Sequence, residues 1–249
     1  MMRIAATGDV HFGADSAGTL RPQLEHLTEC ADVLLIAGDL TRVGACDEAK
    51  VLAEELADVA VPVVAVLGNH DHHAGEGDAI RAVMEDAGVC MLEGESTVVP
   101  VDDERLTIVG AKGFGGGFAG ASGTAFGEPE MKAFIQRTET IAATIGTALE
   151  GADGDARVVL MHYSPVKHTV VGERPEIYPF LGSYLLAQAV DEWGADLIVH
   201  GHAHGGSEKG VTPGGVRVRN VAMPLIRQSY RVFCLDDDVA RAQTAPNAA

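Results

Sequence analysis

Seven side chains of types that bind metal ions stand at the ends of five apolar runs in this chain. In chain order they are Asp9, His11, Asp39, Asn69, His162, His202 and His204. Carboxylate, amide and imidazole groups without thiolate suit divalent metals of the first transition row. Asp39 has two carboxylate oxygens and can bridge two cations. The pattern therefore predicts two metal ions that act together on a phosphate ester.

The apolar runs that precede these side chains are short and rich in β-branched residues, which is typical of buried parallel strands. They cover residues 3–7, 33–37, 61–67, 157–161 and 195–199, and the first fits least cleanly. In open α/β sheets, ligands collect outside the carboxyl ends of the strands. Five strand ends with one kind of ligand chemistry therefore predict a single pocket.

Local spacing adds detail to this pocket. Asp9 and His11 are two residues apart, so in extended geometry both would face the same metal. Gly38 would let the backbone turn tightly before Asp39. Asn69 offers a neutral oxygen to a second metal beside His162 and His202, and His204 would return to the first.

The rest of the chain alternates further helices, loops and strands. Helical patterns cover 47–59, 77–87 and 129–149, and Ser183 is expected to cap a helix that ends at Gly194. Residues 112–127 are rich in glycine and predict a long loop, while 163–182 is non-periodic and could arch over the pocket. We expect one domain over 1–236 and a flexible tail over 237–249.

Composition limits the class of protein. The formal charge of −18 disfavours binding to double-stranded nucleic acid, because a phosphate backbone is held by Lys and Arg. No apolar run is long enough to span a membrane, and the start lacks the pattern of a signal peptide, so we expect a cytoplasmic protein. Four scattered cysteines fit reduced thiols and offer no thiolate metal site.

Taken together, the motifs resemble the calcineurin-like metallophosphoesterase family. They are Asp9-x-His11, Gly38-Asp39, Gly68-Asn69-His70-Asp71, His162 and Gly201-His202-x-His204. Each dipeptide alone is common turn chemistry, but the complete set is specific and covers the chain from Gly8 to His204. The resemblance implies an α/β fold with four αββα layers, in which two mixed β-sheets are flanked by helices.

The resemblance also implies a division of the ligands between two divalent metal ions. One ion would be held by Asp9, His11, Asp39 and His204, and the other by Asp39, Asn69, His162 and His202, with Asp39 as the bridge. A bridging hydroxide would attack phosphorus in line while both metals hold the phosphoryl oxygens. Manganese, iron, zinc, cobalt and nickel all remain open.

By the same resemblance, His70 is a catalytic residue and not a metal ligand. Its imidazole would face the phosphate and stabilise the transition state or protonate the leaving oxygen, and Asp71 would orient the ring. His72 and His73 remain candidates for the rim of the site.

Departures from other branches of the family narrow the substrate class. The motif Gly-Asp-x-x-Asp-Arg-Gly of phosphoprotein phosphatases is absent here, because Leu40 to Gly44 reads Leu-Thr-Arg-Val-Gly. Repair nucleases of the family carry a basic face and a DNA-engaging domain, and for this acidic chain we expect neither. The chain is similar to the small single-domain bacterial branch, which implies a phosphodiesterase for cyclic nucleotides or nucleotide-linked small molecules.

Substrate contacts are expected in the segment that follows His162. Arg174, Lys167 and Tyr163 are the candidates, although charged loop residues are most often only solvated. Two other functions stay open at this stage: a phosphomonoesterase that acts on a small metabolite, and a catalytically silent interaction module. The sequence does not indicate an oligomeric state.

Overall fold

The computed structural model describes residues 1–235, and most of its strands belong to two large sheets. The strands in chain order are β1 (Arg3–Thr7), β2 (Val33–Ala37), β3 (Val63–Val66), β4 (Cys90–Met91), β5 (Glu95–Val101), β6 (Glu104–Ala111), β7 (Gly117–Phe118), β8 (Ala121–Ser122), β9 (Ala156–Met161), β10 (Leu197–His200), β11 (Lys209–Val211), β12 (Arg217–Asn220) and β13 (Arg231–Cys234).

The first sheet has the strand order β13-β1-β2-β3-β4 and the second has β11-β12-β10-β9-β6-β5. In the first sheet β1 to β4 run parallel and only β13 is antiparallel to its neighbour. In the second, β6, β9, β10 and β12 run parallel, with antiparallel strands at both edges. The parallel strands place their carboxyl ends on one side of each sheet.

Helices connect these strands. The α-helices are α1 (Arg21–Leu24), α2 (Leu27–Cys30), α3 (Cys46–Leu56), α4 (Gly77–Asp86), α5 (Pro129–Glu150), α6 (Tyr178–Leu181), α7 (Tyr184–Trp193) and α8 (Met223–Ile226), with 3-10 turns at His70–His72, Lys167–Val170 and Pro175–Ile177. Among residues 1–235, none of the helices combines the length and the hydropathy that a membrane crossing requires.

Strand alternation separates the core into layers. Ile4 and Ala6 on β1 point into the cluster between the two sheets, and Ala5 between them points into the cluster beneath α3 and α4. A third cluster joins the outer face of the second sheet to α5 and α7, for example Val109 with Ile145. The structure therefore has the expected αββα layers, with two mixed sheets enclosed by helices.

Local signals in the sequence explain where two of the helices begin. Pro129 occupies the first turn of α5, where its missing N–H is not needed. The Ser183 hydroxyl accepts a hydrogen bond from Leu185 N at 3.3 Å and caps α7, which ends before Gly194. Both predicted helices are confirmed within a residue of the expected boundaries.

Other expectations need correction. The run 61–67 forms a strand only over Val63–Val66, and the glycine-rich segment 112–127 is not a plain loop, because β7 and β8 pair within it as a short antiparallel ribbon. The segment 163–182 contains two 3-10 turns and α6. The predicted tail, 237–249, lies outside the described residues.

Candidate metal centre

The seven predicted ligands converge where the carboxyl ends of five strands meet. Asp9, His11, Asp39 and Asn69 follow β1, β2 and β3 of the first sheet, and the remaining histidines follow β9 and β10 of the second. His162 Nδ1 lies 2.8 Å from the Ala37 carbonyl oxygen and therefore ties the two sheets together at this edge. The site lies at the junction of the sheets.

One group of donors surrounds Asp9. Its Oδ1 lies 2.8 Å from His204 Nε2, and its two oxygens accept the backbone N–H of His202 at 3.0 and 2.9 Å. His11 Nε2 lies 3.5 Å from His204 Nε2. Asp9, His11 and His204 thus offer ligand atoms that all lie within 4.8 Å of one another, as a single metal ion requires.

A second group surrounds His162 and His202. With Asp39 these residues offer three ligand atoms within 4.8 Å of one another. Asn69 Oδ1 lies 2.9 Å from His162 Nε2, which places the amide in the same group. The structure therefore brings these four donors together in a second group.

Asp39 lies between the two groups. Its Oδ1 is 3.4 Å from His162 Nε2 in the second group, and its Oδ2 is 3.8 Å from His11 Nε2 in the first. Asp39 Oδ1 also accepts the backbone N–H of His70 at 2.8 Å. One carboxylate oxygen faces each group, which is the arrangement that a bridging ligand needs.

The surroundings of His162 show that a cation fits this donor set. Its Nδ1 faces the Ala37 carbonyl and must donate, and burial lowers the pKa of the imidazole to about 3, so Nε2 carries a lone pair. That lone pair faces the oxygens of Asp39 and Asn69. Because no proton lies between them, the Nε2 lone pair and these oxygens repel one another. A metal cation bound among them would remove the repulsion.

Burial also sets the charge states of the other ligands. It raises the pKa of Asp9 to about 6, against the opposing hydrogen bond with His204, and the same hydrogen bond raises the pKa of His204. Burial lowers the pKa of His202 to about 3 and also lowers the pKa of His11. Neutral imidazole is the form that binds metal, so the lowered pKa values of His202 and His11 favour the binding of a cation.

The backbone at the site corrects one expectation. Asp9 and His11 are not extended but have φ values of 56° and 45°, in the left-handed region. Asp39 and His202 share this conformation, with φ values of 50° and 70°. Non-glycine residues rarely adopt it, and such strain concentrates at functional sites. The turns aim the side chains into the pocket, which extended strands would not achieve.

Two glycines permit this geometry. Gly38 has a φ of +79°, and a Cβ there would lie 2.7 Å from Nδ1 of the His162 ring. A Cβ at Gly68 would overlap Oδ1 of Asp39. The glycines of the Gly38-Asp39 and Gly68-Asn69 motifs are therefore required for the close approach of the ligands.

The structure places His70 beside the metal ligands but separates it from its expected partner. His70 Nδ1 donates to the Arg42 carbonyl oxygen at 2.7 Å, which leaves Nε2 4.0 Å from Asp39 Oδ2. Its nitrogen also lies within reach of a metal bound by His11 and Asp39. The Arg42 carbonyl, and not the Asp71 carboxylate, orients the ring.

Asp71 instead holds the backbone beneath the site. Its buried carboxylate accepts hydrogen bonds from the N–H groups of Gly68, Leu40 and Thr41 at 2.7, 3.1 and 2.8 Å, and from the Thr41 hydroxyl at 2.6 Å. Burial raises the pKa of this carboxyl, although these hydrogen bonds oppose the shift. The expected role of Asp71 next to the His70 ring is replaced by a structural one.

The three expected substrate contacts differ in position. The Tyr163 ring lies 4.4 Å from the His202 ring, and burial with the charge of Asp39 raises the pKa of its hydroxyl to about 12. Lys167 lines a separate cavity of about 340 Å³ whose walls contain no metal ligand. Arg174 is exposed and precedes the 3-10 turn Pro175–Ile177. Only Tyr163 contacts the metal centre.

Sequence reasoning missed the carbonyl groups that orient the imidazoles. The oxygens of Ala37, Arg42 and Phe180 lie 2.8, 2.7 and 3.1 Å from ring nitrogens of His162, His70 and His202. Every residue has a carbonyl, so residue types carry no signal for these contacts. They fix which nitrogen of each ring faces the metals.

Comparison with known proteins identifies the family of the chain. The sequence profile of the calcineurin-like phosphoesterases matches residues 2–206. The chain belongs to that family. The recognition made from the motifs is confirmed, and the chain is a metal-dependent phosphoester hydrolase. No protein of curated function matches its sequence significantly.

Solved structures share the fold at low sequence identity. Phosphopantetheinyl hydrolase (PptH) from Mycobacterium tuberculosis superposes with a TM-score of 0.67 and 18% identity, over 98% of each chain. The protein TT1561 of Thermus thermophilus gives a TM-score of 0.56 and 15% identity, over 94% of this chain and 99% of that one. These similarities support the αββα architecture of the phosphoesterase.

Proposed function

We propose that this phosphoesterase is a phosphodiesterase with a dinuclear metal centre, acting on a small phosphodiester such as a cyclic nucleotide or a nucleotide-linked molecule. The observation that carries the proposal is the position of Asp39 between two groups of donors, 3.4 Å from His162 on one side and 3.8 Å from His11 on the other. Two metals held by these residues would supply Lewis acidity and an activated water to such an ester.

Differences in exposure indicate the side from which substrate enters. Asp9, Asp39 and His162 are buried, whereas the side chains of His70 and His204 are 44% and 40% exposed. The buried residues form the floor of the centre and the exposed histidines form its mouth. An open mouth accommodates a phosphorus that carries ester groups on two sides, which favours a diester.

His70 is proposed to protonate the leaving oxygen or to stabilise the transition state. The hydrogen bond from Nδ1 to the Arg42 carbonyl fixes the ring, so only Nε2 is directed at the substrate position. Tyr163 is proposed to donate from its hydroxyl to the substrate, because its ring packs against that of His202 and the raised pKa keeps the hydroxyl protonated at neutral pH. Arg174 and Lys167 lie farther out and would meet only a larger substrate.

The runner-up function is a phosphomonoesterase for a small metabolite. Both reactions use the same metal centre, and they differ in the groups that the surrounding loops admit. The fold shared with phosphopantetheinyl hydrolase makes phosphopantetheinyl esters one class of diester to include in a screen. Manganese and iron are the first metals to test, since nitrogen and oxygen ligands suit both.

Parallel assays decide between diester and monoester. Manganese-supplemented protein is assayed with bis(p-nitrophenyl) phosphate and with p-nitrophenyl phosphate. Asp39→Asn, which removes the bridging charge, is compared with Asp103→Asn, a matched change at an exposed turn residue. We expect faster hydrolysis of the diester, lost in Asp39→Asn and retained in Asp103→Asn.

The other outcomes are equally informative. Faster hydrolysis of the monoester would replace the proposal with the runner-up. No hydrolysis by protein that holds two metals would indicate a narrow natural substrate, and no hydrolysis with no metal bound would favour the interaction module. Metal content measured by mass spectrometry on the same samples separates these cases.

A further inference from the structure

A nearly buried lysine lies next to the candidate metal centre and has no role among the proposed metal ligands. Lys112 follows β6 and is 8% exposed. Its carbonyl oxygen accepts the backbone N–H groups of His162 and Tyr163 at 2.9 and 3.0 Å. The backbone of Lys112 is thereby held against the segment that carries the candidate ligand His162.

The ammonium of Lys112 has no close counter-ion. Across residues 1–235, no carboxylate lies within 4.0 Å of its Nζ and no hydrogen bond from Nζ is formed, although Nζ keeps contact with solvent. The nearest aromatic group is Phe114, whose ring centroid is 5.7 Å away. Lysine is seldom buried without a partner, because desolvating its charge costs free energy that a bound anion can offset.

A second cation lies near Lys112. Arg137 on α5 is exposed and forms no hydrogen bond or ion pair with any residue of the described chain. Its charge interacts with those of Lys112 and Glu93, and the charge of Lys112 also reaches Asp39 and Asp71 at the metal centre. Lys112 is therefore a buried cation attached to the His162 segment, and Arg137 is an exposed one.

Space for a small anion lies beside Arg137. A cleft of about 120 Å³ is lined by Glu93, Ala111, Arg137 and Thr140, among others. A water molecule occupies about 30 Å³ in the liquid, so the cleft admits a group of a few heavy atoms. Glu93 is the one acidic group in its wall, and it accepts the Lys112 backbone N–H at 3.3 Å. The cleft thus holds the exposed side of Arg137 and the Glu93 carboxylate that accepts the Lys112 backbone N–H, in a chain of net charge −18.

We propose that Lys112 and Arg137 bind a second phosphate of the substrate, next to the phosphodiester that the metal centre holds. Metals held at the centre would compensate the charge of the reacting phosphate, so the two further cations are available for additional negative charge on the substrate. The planar guanidinium of Arg137 suits phosphate oxygens, and Lys112 adds a point charge. This assignment rests on the proposed phosphodiesterase function and narrows its substrates to those with a neighbouring phosphate.

A matched pair of substrates tests the assignment. Thymidine 5'-(p-nitrophenyl phosphate) is compared with the same ester carrying a 3'-phosphate, using manganese-loaded full-length protein. We expect the wild type to prefer the 3'-phosphorylated ester in kcat/KM. Arg137→Gln and Lys112→Gln should each reduce this preference by about tenfold, mainly through KM.

Two further variants complete the design. Glu93→Gln should increase the preference, because it removes the opposing charge and keeps an acceptor for the Lys112 N–H. Lys132→Gln, an exposed neutralisation on the same helix α5, should leave it unchanged. The assignment would be overturned if the wild type showed no preference for the 3'-phosphorylated ester. It would also be overturned if Arg137→Gln kept that preference unchanged. Since Arg137 is exposed, its variant does not depend on refolding of the core.

A binding measurement separates this proposal from the phosphodiesterase function. Calorimetric titration compares thymidine 3',5'-bisphosphate with thymidine 5'-monophosphate on the same manganese-loaded proteins. Tighter binding of the bisphosphate, weakened in Arg137→Gln, would support the phosphate site even if neither ester is hydrolysed. Equal affinity for both nucleotides would reject the site even if hydrolysis is fast.

Discussion

The Nε2 atoms of His11 and His204 lie 3.5 Å apart, although 193 residues separate them in the chain. His11 follows β1 in the first sheet and His204 follows β10 in the second. Asp9 lies against the same pair, with Oδ1 2.8 Å from His204 Nε2. The centre therefore exists only when the two sheets are packed, which links metal binding to the stability of the fold.

This link predicts a metal-dependent thermal shift. Adding manganese to chelator-treated protein should raise the melting temperature, because a ligand of the native state at about 100 times its Kd stabilises by about 2.7 kcal/mol. His204→Ala should lose a large part of this shift, and His73→Ala, an exposed histidine outside the donor groups, should keep it. Differential scanning calorimetry measures both, and an unchanged shift in His204→Ala would contradict the assigned ligand set.

His70 should separate turnover from metal binding. In His70→Ala we expect kcat to fall by about 10²- to 10⁴-fold, the usual contribution of a general acid or base, while both metals stay bound. Turnover of the p-nitrophenyl diester and metal content by mass spectrometry are the two readouts, and exposed His26→Ala is the control. Parallel loss of activity and of one metal would instead make His70 a ligand, a role that its 4.0 Å distance from Asp39 Oδ2 also permits.

The sequence was sufficient to bring the candidate ligands to one edge of the sheets, because the ends of strands carry their own signals. The β-branched runs before Asp39 and His162 end at the same residues as β2 and β9. Because parallel strands place their carboxyl ends at one edge, the side chains of Asp39 and His162 were expected to lie there together. Side-chain type and strand periodicity are both local properties. For that reason the αββα fold and the family could be recognised from the motifs.

Features that depend on long-range packing were not predictable. The left-handed backbone of Asp9 and His11 is imposed by surrounding contacts and contradicts the extended geometry that their spacing suggested. Asp71 was expected beside His70, but its oxygens are used by the N–H groups of Gly68, Leu40 and Thr41. The cleft beside Arg137 likewise arises only when α5 packs on the second sheet.

Gly68 should tolerate no side chain. A Cβ at this position would overlap Oδ1 of Asp39, so Gly68→Ala should displace the bridging carboxylate. We expect loss of metal and a fall in kcat/KM of about 10- to 100-fold, the range seen when the support of metal ligands is removed. Gly151→Ala is the control, since its Cβ would lie 3.9 Å from the nearest atom at a φ of −83°. Equal metal content in both variants would show that Asp39 can move without releasing a cation.

Glu55 anchors the loop that continues from His11 toward α1. This buried carboxylate on α3 accepts the N–H groups of Gly18, Leu20 and Arg21 at 2.7, 2.9 and 2.8 Å. Burial raises the pKa of Glu55, but the three hydrogen bonds outweigh it and hold the pKa below its ordinary value. The ionised form is therefore the one that stabilises the fold.

The sign of the resulting pH dependence follows from this lowered pKa. The stabilisation is complete above the unfolded-state pKa of about 4.3 and is lost as the pH falls through the lower folded-state pKa. At pH 7, Glu55→Gln should reduce the free energy of unfolding by about 1.5 to 3 kcal/mol, because hydrogen bonds to a charged acceptor are replaced. Urea denaturation from pH 7 to pH 3 should show the two proteins converging in acid, with exposed Glu54→Gln unchanged throughout. A constant difference in the free energy of unfolding across that range would mean that Glu55 stabilises the fold through packing and not through its charge.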